Sequence, residues 1–185
     1  MRVIGGAFKK ARLYGPGPRN MSIRATYDRV RENVFNLLGD VDGLSFLDLY
    51  AGSGGMGIEA LSRGARRAVF VDHQPDAIRI IRKNIDTLGL NDRAEVVRAD
   101  VQRYLHLPPQ PERFDVVYID PPYNSGLFEK TITLLGRGNM LTLDAVVIGE
   151  HGAAPEAAEV GSFERKDVRR YGQTWITIWQ YIRKG

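Results

Sequence analysis

Asp120-Pro121-Pro122-Tyr123 follows the apolar run Phe114-Asp115-Val116-Val117-Tyr118-Ile119. At the end of a buried strand, these four residues suit a planar amino group. The Asp120 carboxylate and the Pro121 carbonyl can accept its two N–H bonds. Pro121 and Pro122 have restricted φ and no N–H, so they fix the turn without donating. The Tyr123 ring can stack on a nucleobase, a contact worth roughly 1–3 kcal/mol per base. Asp-Pro-Pro is also ordinary turn chemistry, so this motif does not decide the matter alone.

A second motif lies upstream. Leu47-Asp48-Leu49-Tyr50-Ala51-Gly52-Ser53-Gly54-Gly55-Met56-Gly57 joins a strand expected over 45–50 to a helix expected over 58–62. Its glycines let the backbone turn sharply and approach a ligand. Glycine-rich strand-to-helix turns are where doubly wound folds meet nucleotide cofactors. No Gly-Lys-Ser/Thr occurs, which excludes a P-loop. Asp48 would repel a phosphate and suit a cationic group such as an amine.

Further carboxylates stand at successive strand ends. Asp72 ends the run Ala68-Val69-Phe70-Val71, about 20 residues past the glycines, where a carboxylate grips ribose hydroxyls. His73 follows it and is a candidate cofactor contact. A third strand over 94–99 ends in Asp100-Val101, within reach of an adenine edge. In open α/β sheets, ligands bind beyond the carboxyl ends of the strands. A lone aspartate there is usually a helix cap; Asp48, Asp72, Asp100 and Asp120 in phase with a glycine loop are harder to dismiss.

With these residues in view, the chain resembles class I S-adenosylmethionine-dependent amino-methyltransferases. Three segments narrow the resemblance: Arg2-Val3-Ile4-Gly5-Gly6, then Lys10-Ala11-Arg12-Leu13, then Arg24-Ala25-Thr26-Tyr27-Asp28-Arg29-Val30-Arg31-Glu32-Asn33-Val34-Phe35-Asn36. Together with Asp48 through Gly64 they are similar to the bacterial 16S ribosomal RNA guanine-N2 methyltransferase family. Ala25 departs from that family's usual proline. The resemblance implies S-adenosyl-L-methionine as cofactor, held by Asp48, Tyr50, Ala51, Gly52, Ser53, Gly54, Gly57, Asp72, His73, Asp100 and Val101. It implies Asp120, Pro121, Pro122 and Tyr123 as the catalytic motif. The expected substrate is 16S ribosomal RNA, free or in a small-subunit particle. A related adenine-N6 methyltransferase, a non-catalytic RNA-binding paralogue and a nicotinamide-dependent oxidoreductase are the competing readings.

Charge is informative by position. Net charge is +4, yet residues 1–31 carry eight lysines and arginines against one acid, Asp28. The rest is slightly acidic, so the basic footprint sits at the N-terminus, as phosphate binding predicts. Arg2, Lys9, Lys10, Arg12 and Arg24 are the candidate RNA contacts. The chain has no cysteine, which excludes disulfides, thiolate metal sites and a catalytic thiol. His73, His106 and His151 show no metal spacing. No apolar run is long enough to span a bilayer, and a cytoplasmic monomer is expected.

The elements that must position these groups follow from pattern. Residues 1–6 and 11–14 read as a hairpin, and Gly15-Pro16-Gly17-Pro18 breaks the chain. Thr26 is the expected cap of a helix reaching Leu38, with Val30, Val34, Leu37 and Leu38 on its apolar face. Residues 128–135 read as helix and 143–149 as strand. Residues 163–170 and 174–182 form a hairpin turning at Tyr171-Gly172-Gln173, with Trp175 and Trp179 as sheet packing. The fold class expected is α/β, Rossmann-like, with a seven-stranded mostly parallel sheet, an antiparallel terminal hairpin and helices on both faces. Residues 1–20 are expected as a basic hairpin extension and 21–185 as the methyltransferase domain.

Overall fold

A computed structural model describes residues 1–15, 28–107, 113–122, 125–153 and 157–182. Thr26 and Arg24 therefore lie outside the described residues, as does Tyr123. Two compact units are present, Met1–Asp100 and Val101–Gly185.

The first unit contains helix α1 (Asp28–Leu38), strand β1 (Ser45–Leu49), helix α2 (Gly55–Ser62), strand β2 (Arg67–Asp72), helix α3 (Pro75–Leu88) and strand β3 (Ala94–Arg98). β2 lies between β1 and β3, and both pairings are parallel. β1 is buried throughout, Ser45 and Asp48 included, so the strand is covered on both faces. α2 is also buried at all eight positions. α1 buries Val30, Arg31, Val34 and Phe35. Leu37 and Leu38 are only half-buried, because the helix ends there and Phe35 takes the inner position against Phe46, ring centroids 6.2 Å apart.

α3 is the longest of the elements that strand-focused reading passed over, the short helix Val101–Leu105 being another. Its signals are complete: Pro75 in the first turn, an apolar stripe of Ala77, Ile78, Ile80, Ile81 and Ile85, and left-handed Gly89 closing it at φ 64°.

The second unit contains helix α4 (Val101–Leu105), strand β4 (Phe114–Ile119), helix α5 (Leu127–Arg137) and strands β5 (Leu141–His151), β6 (Glu159–Val160), β7 (Phe163–Tyr171) and β8 (Thr174–Tyr181). β4 and β5 run parallel; β8 pairs antiparallel with β5 and with β7. The terminal hairpin turns at Gly172, φ 64°. Trp179 is fully buried in sheet packing, and half-buried Trp175 lies under Arg170, 5.5 Å from ring centroid to guanidinium. The described residues hold eight strands, one more than the pattern suggested. The addition is the two-residue β6, too short to leave a periodic signal.

The N-terminal hairpin is reduced to one antiparallel bridge, Arg2 with Arg12, flanked by bonds from Val3 N to Ala11 O and Leu13 N to Met1 O. Val3 and Leu13 point inward and are buried. Arg2 and Arg12 point outward and are exposed. A longer ladder does not form because the backbone of residues 4–8 bonds to α2 instead.

Candidate functional site

β1 delivers Asp48 and Tyr50 to the start of the glycine loop. Asp48 is buried, and its Oδ2 accepts the Gly57 N–H at 2.9 Å. Burial pushes its carboxyl up to about 8; the Gly57 N–H opposes this and the nearby Asp72 charge adds to it. Tyr50 adopts φ 61°, a left-handed conformation costly for a bulky side chain and concentrated at functional sites. The loop closes through Ala51 N to Val71 O and Gly54 N to Ala51 O, 3.1 and 2.8 Å.

Asp72 stands across from the loop. Its Oδ2 accepts the Gly52 N–H at 2.9 Å and its Oδ1 the Gln74 N–H at 2.8 Å. Each oxygen keeps a further lone pair that can accept from a hydroxyl. His73 points outward, 65 % exposed, with Nδ1 3.8 Å from Asp72 Oδ1. Asp100 is exposed just beyond β3. In the other unit, buried Val101 opens α4.

The glycines divide by role. A Cβ on Gly57 would lie 2.3 Å from the Phe70 ring, and one on Gly54 3.2 Å from Ile81 with φ at 77°. Gly57 permits close packing of α2 on β2, and Gly54 the close approach of the loop to α3. Gly52, at φ 57°, shapes the part of the loop that faces Asp72. Ser53 is buried, and its carbonyl accepts from Asn84 Nδ2 at 3.1 Å.

In the second unit, β4 ends at Ile119 and half-buried Asp120 follows immediately. Pro121 is buried and Pro122 exposed. Ser125 Oγ donates to the Pro122 carbonyl at 2.5 Å and accepts from Leu127 N at 3.3 Å. The turn is thereby tied to the first residue of α5. Beneath it, Tyr118 donates to Glu150 Oε2 at 2.6 Å, both side chains buried. Alternation along β4 puts Tyr118 and Asp120 on one face of the sheet. Further along β5, His151 accepts or donates at Thr177 Oγ1, 2.8 Å away. Its pKa is lowered to about 4, chiefly by burial, so the ring is neutral at physiological pH.

The basic N-terminal segment docks on α2 through one carboxylate. Glu59 Oε2 accepts from Ile4 N at 2.8 Å and Oε1 from Gly5 N at 2.7 Å. Arg63 Nε adds a bond to Oε1 at 2.9 Å, and fully buried Arg31 lies 3.4 Å from Oε2. Ser62 completes the dock, its Oγ accepting from Phe8 N and donating to Gly5 O. Lys9, Lys10, Arg2 and Arg12 are left exposed on the outer side. Sequence reasoning missed Glu59, Ser62, Asn84, Ser125 and Glu150. The signal for Glu59 and Asn84 was present, since each is a polar residue inside an apolar helical stripe.

Comparison with known proteins now decides the family. Residues 1–180 match the family described as "Conserved hypothetical protein 95". The chain belongs to this family. A Bacillus subtilis relative named "Putative rRNA methyltransferase YlbH" is 39% identical over 183 residues, 97% of this chain and 98% of that protein. The Escherichia coli "Ribosomal RNA small subunit methyltransferase D" is 36% identical over 151 residues, 81% of this chain and 74% of that protein. The solved structure of "Putative methyltransferase yhhF from Escherichia coli" superposes with a TM-score of 0.84 at 31% identity, covering 98% of both chains. The family is thus the ribosomal RNA methyltransferase family that the sequence resembles, and the fold is the Rossmann-like α/β fold of class I methyltransferases. Among the described residues, no helix is long and apolar enough to cross a membrane.

Proposed function

We propose that this protein transfers a methyl group from S-adenosyl-L-methionine to the exocyclic N2 of a guanine in 16S ribosomal RNA. The observation that carries this reading is full-length similarity to ribosomal RNA methyltransferases in a chain whose β4 runs directly into Asp120-Pro121-Pro122. The residues of the first unit fit the cofactor. Buried Asp48 suits the cationic end of an amino acid, and Asp72 keeps lone pairs for ribose hydroxyls. Strained Tyr50 shapes the loop between them. Gly52, Ser53, Ala51 and Asp100 complete the proposed cofactor set of this unit, with His73 at its exposed margin.

The bound cofactor supplies a methyl group made electrophilic by a sulfonium. This chain's own work is on the base. Guanine N2 is a poor nucleophile because its lone pair is delocalised into the ring. Asp120 and the Pro121 carbonyl accept its two hydrogens and favour a tetrahedral nitrogen, while Tyr123 holds the ring plane. Positioning and electrostatics supply most of the rate. The proton released from N2 passes late to Asp120 or directly to water. The target base must leave its stack to enter the site, which costs least in an exposed RNA loop.

The test is transfer of labelled methyl from S-adenosylmethionine to unmodified 16S ribosomal RNA and to small subunits, with nucleoside analysis. N2-methylguanosine is expected. Label in adenine would overturn the target atom, and no label on either substrate despite cofactor binding would overturn catalysis.

A further inference from the structure

α3 presents a basic stripe that none of the roles above uses. Arg79, Arg82 and Lys83 project from its outer side and Arg98 from the end of β3, and together with Pro75 and Ile78 they line a groove of about 490 Å³. All four cations are exposed. Arg79 is paired with Asp76 at 3.0 Å, and among the described residues Asp86 is the one carboxylate lining the groove. Cation excess in a concave surface favours a polyanion.

Three relationships give the partner its chemistry. Arg98 is in register with Asp72, so the groove begins at the carboxyl edge of the sheet, where the proposed cofactor carboxylates stand. Lys83 Nζ lies 3.7 Å from the centroid of the Tyr14 ring, so the stripe meets the basic N-terminal segment at an aromatic side chain. Tyr14 is 44% exposed, yet its backbone is fixed: Tyr14 N donates to Asn84 Oδ1 at 2.7 Å, and its carbonyl accepts from Asn84 Nδ2 at 3.0 Å. A held, exposed ring beside a row of cations is the combination that binds single-stranded nucleic acid, by stacking and by phosphate contact.

We propose that the α3 groove is an RNA-docking surface: Arg82, Lys83 and Arg98 hold backbone phosphates and Tyr14 stacks on a base of the same strand. This rests on the ribosomal RNA reading and extends the RNA interface beyond Arg2, Lys9, Lys10 and Arg12. It gives a role to an aromatic side chain left exposed on a fixed backbone. Asp86 sets the limit of the phosphate track at the far end of the helix.

The experiment measures binding of in vitro transcribed, unmodified 16S ribosomal RNA by the full chain across a salt series. The variants are the triple Arg82→Gln, Lys83→Gln, Arg98→Gln and the single Tyr14→Ala. Each phosphate contact adds about 0.7–0.9 to the slope of log affinity against log salt. The triple variant is expected to flatten the slope by about 2 to 3. Tyr14→Ala is expected to weaken binding roughly fivefold or more with little change of slope. Circular dichroism and S-adenosylmethionine affinity matching the parent protein establish that both variants are folded. A triple variant with the parent slope overturns the groove while leaving the methyltransferase reading intact. A parent protein that binds no ribosomal RNA overturns both.

Discussion

The side-chain amide of Asn84 holds both backbone polar groups of Tyr14, accepting from its N–H at 2.7 Å and donating to its carbonyl at 3.0 Å. The same Nδ2 also donates to the carbonyl of Ser53 at 3.1 Å. One buried amide thus joins the N-terminal segment to the glycine loop. Asn84→Ala leaves three backbone groups short of a partner, at a cost of about 1–3 kcal/mol. Chemical denaturation should register that loss, and amide hydrogen exchange should rise at Tyr14. An Asn84→Ala protein with parent stability and parent exchange would show that the link carries no weight.

Gly6 fixes how the N-terminal segment lies on α2. Its φ is 73°, and a Cβ there would stand 1.8 Å from the Ser62 carbonyl oxygen. Neither the conformation nor the backbone contact can relax cheaply. At Gly5 the obstacle is the end of the Arg63 side chain, 2.7 Å away, which can swing aside. Gly6→Ala is therefore expected to undock the segment, costing more than the roughly 1–2 kcal/mol of a left-handed side chain. Gly5→Ala should cost much less. Thermal unfolding of the two variants tests this ranking, and equal midpoints would refute it.

The strands and the acidic ends were legible because buried parallel strands leave largely apolar runs, and Asp48, Asp72 and Asp120 interrupt or close them. The Gly-rich loop was legible as a turn, but not the division of labour within it. Whether Gly57 faces a ligand or Phe70 depends on how α2 packs against β2, which no local pattern encodes. The role of Glu59 was hidden for the same reason. Its partners Ile4 and Gly5 are over fifty residues away, and backbone donors have no side-chain signature. β6 is held by its pairing with β7, Val160 opposite Phe163, rather than by its own two residues.

Asp48 should couple cofactor binding to pH. With its carboxyl pushed up to about 8, the cofactor-free protein holds Asp48 protonated at neutral pH. A folded-state pKa raised above the unfolded 3.8 favours the fold fully below 3.8. That contribution is lost as pH rises toward about 8. A bound cation favours the carboxylate and expels the proton. S-adenosylmethionine affinity is therefore expected to rise with pH, by at most about tenfold per unit between pH 6 and 8, then to level off. Isothermal titration in buffers of different ionisation enthalpy would reveal proton release near pH 7. Asp48→Asn should weaken binding and abolish that release, whereas release persisting in the variant would assign the proton to another group.

Asp120 should divide turnover from cofactor affinity. It lies in the second unit, directly after β4, while Asp48 and Asp72 lie in the first. Asp120→Ala removes one of the two proposed acceptors for the N2 hydrogens. Losing a preorganised transition-state hydrogen-bonding group typically costs about 10²–10³ in kcat. Asp120→Asn keeps one carbonyl acceptor without the charge, so its turnover should fall between the parent and the alanine variant. Cofactor affinity should stay within about twofold in both, since no carboxylate of the first unit is touched. Single-turnover methyl transfer combined with equilibrium cofactor binding separates the two quantities. Parent-level turnover in Asp120→Ala would remove Asp120 from the chemistry. Weakened cofactor binding with an unchanged methyl-transfer rate would make it a binding residue instead.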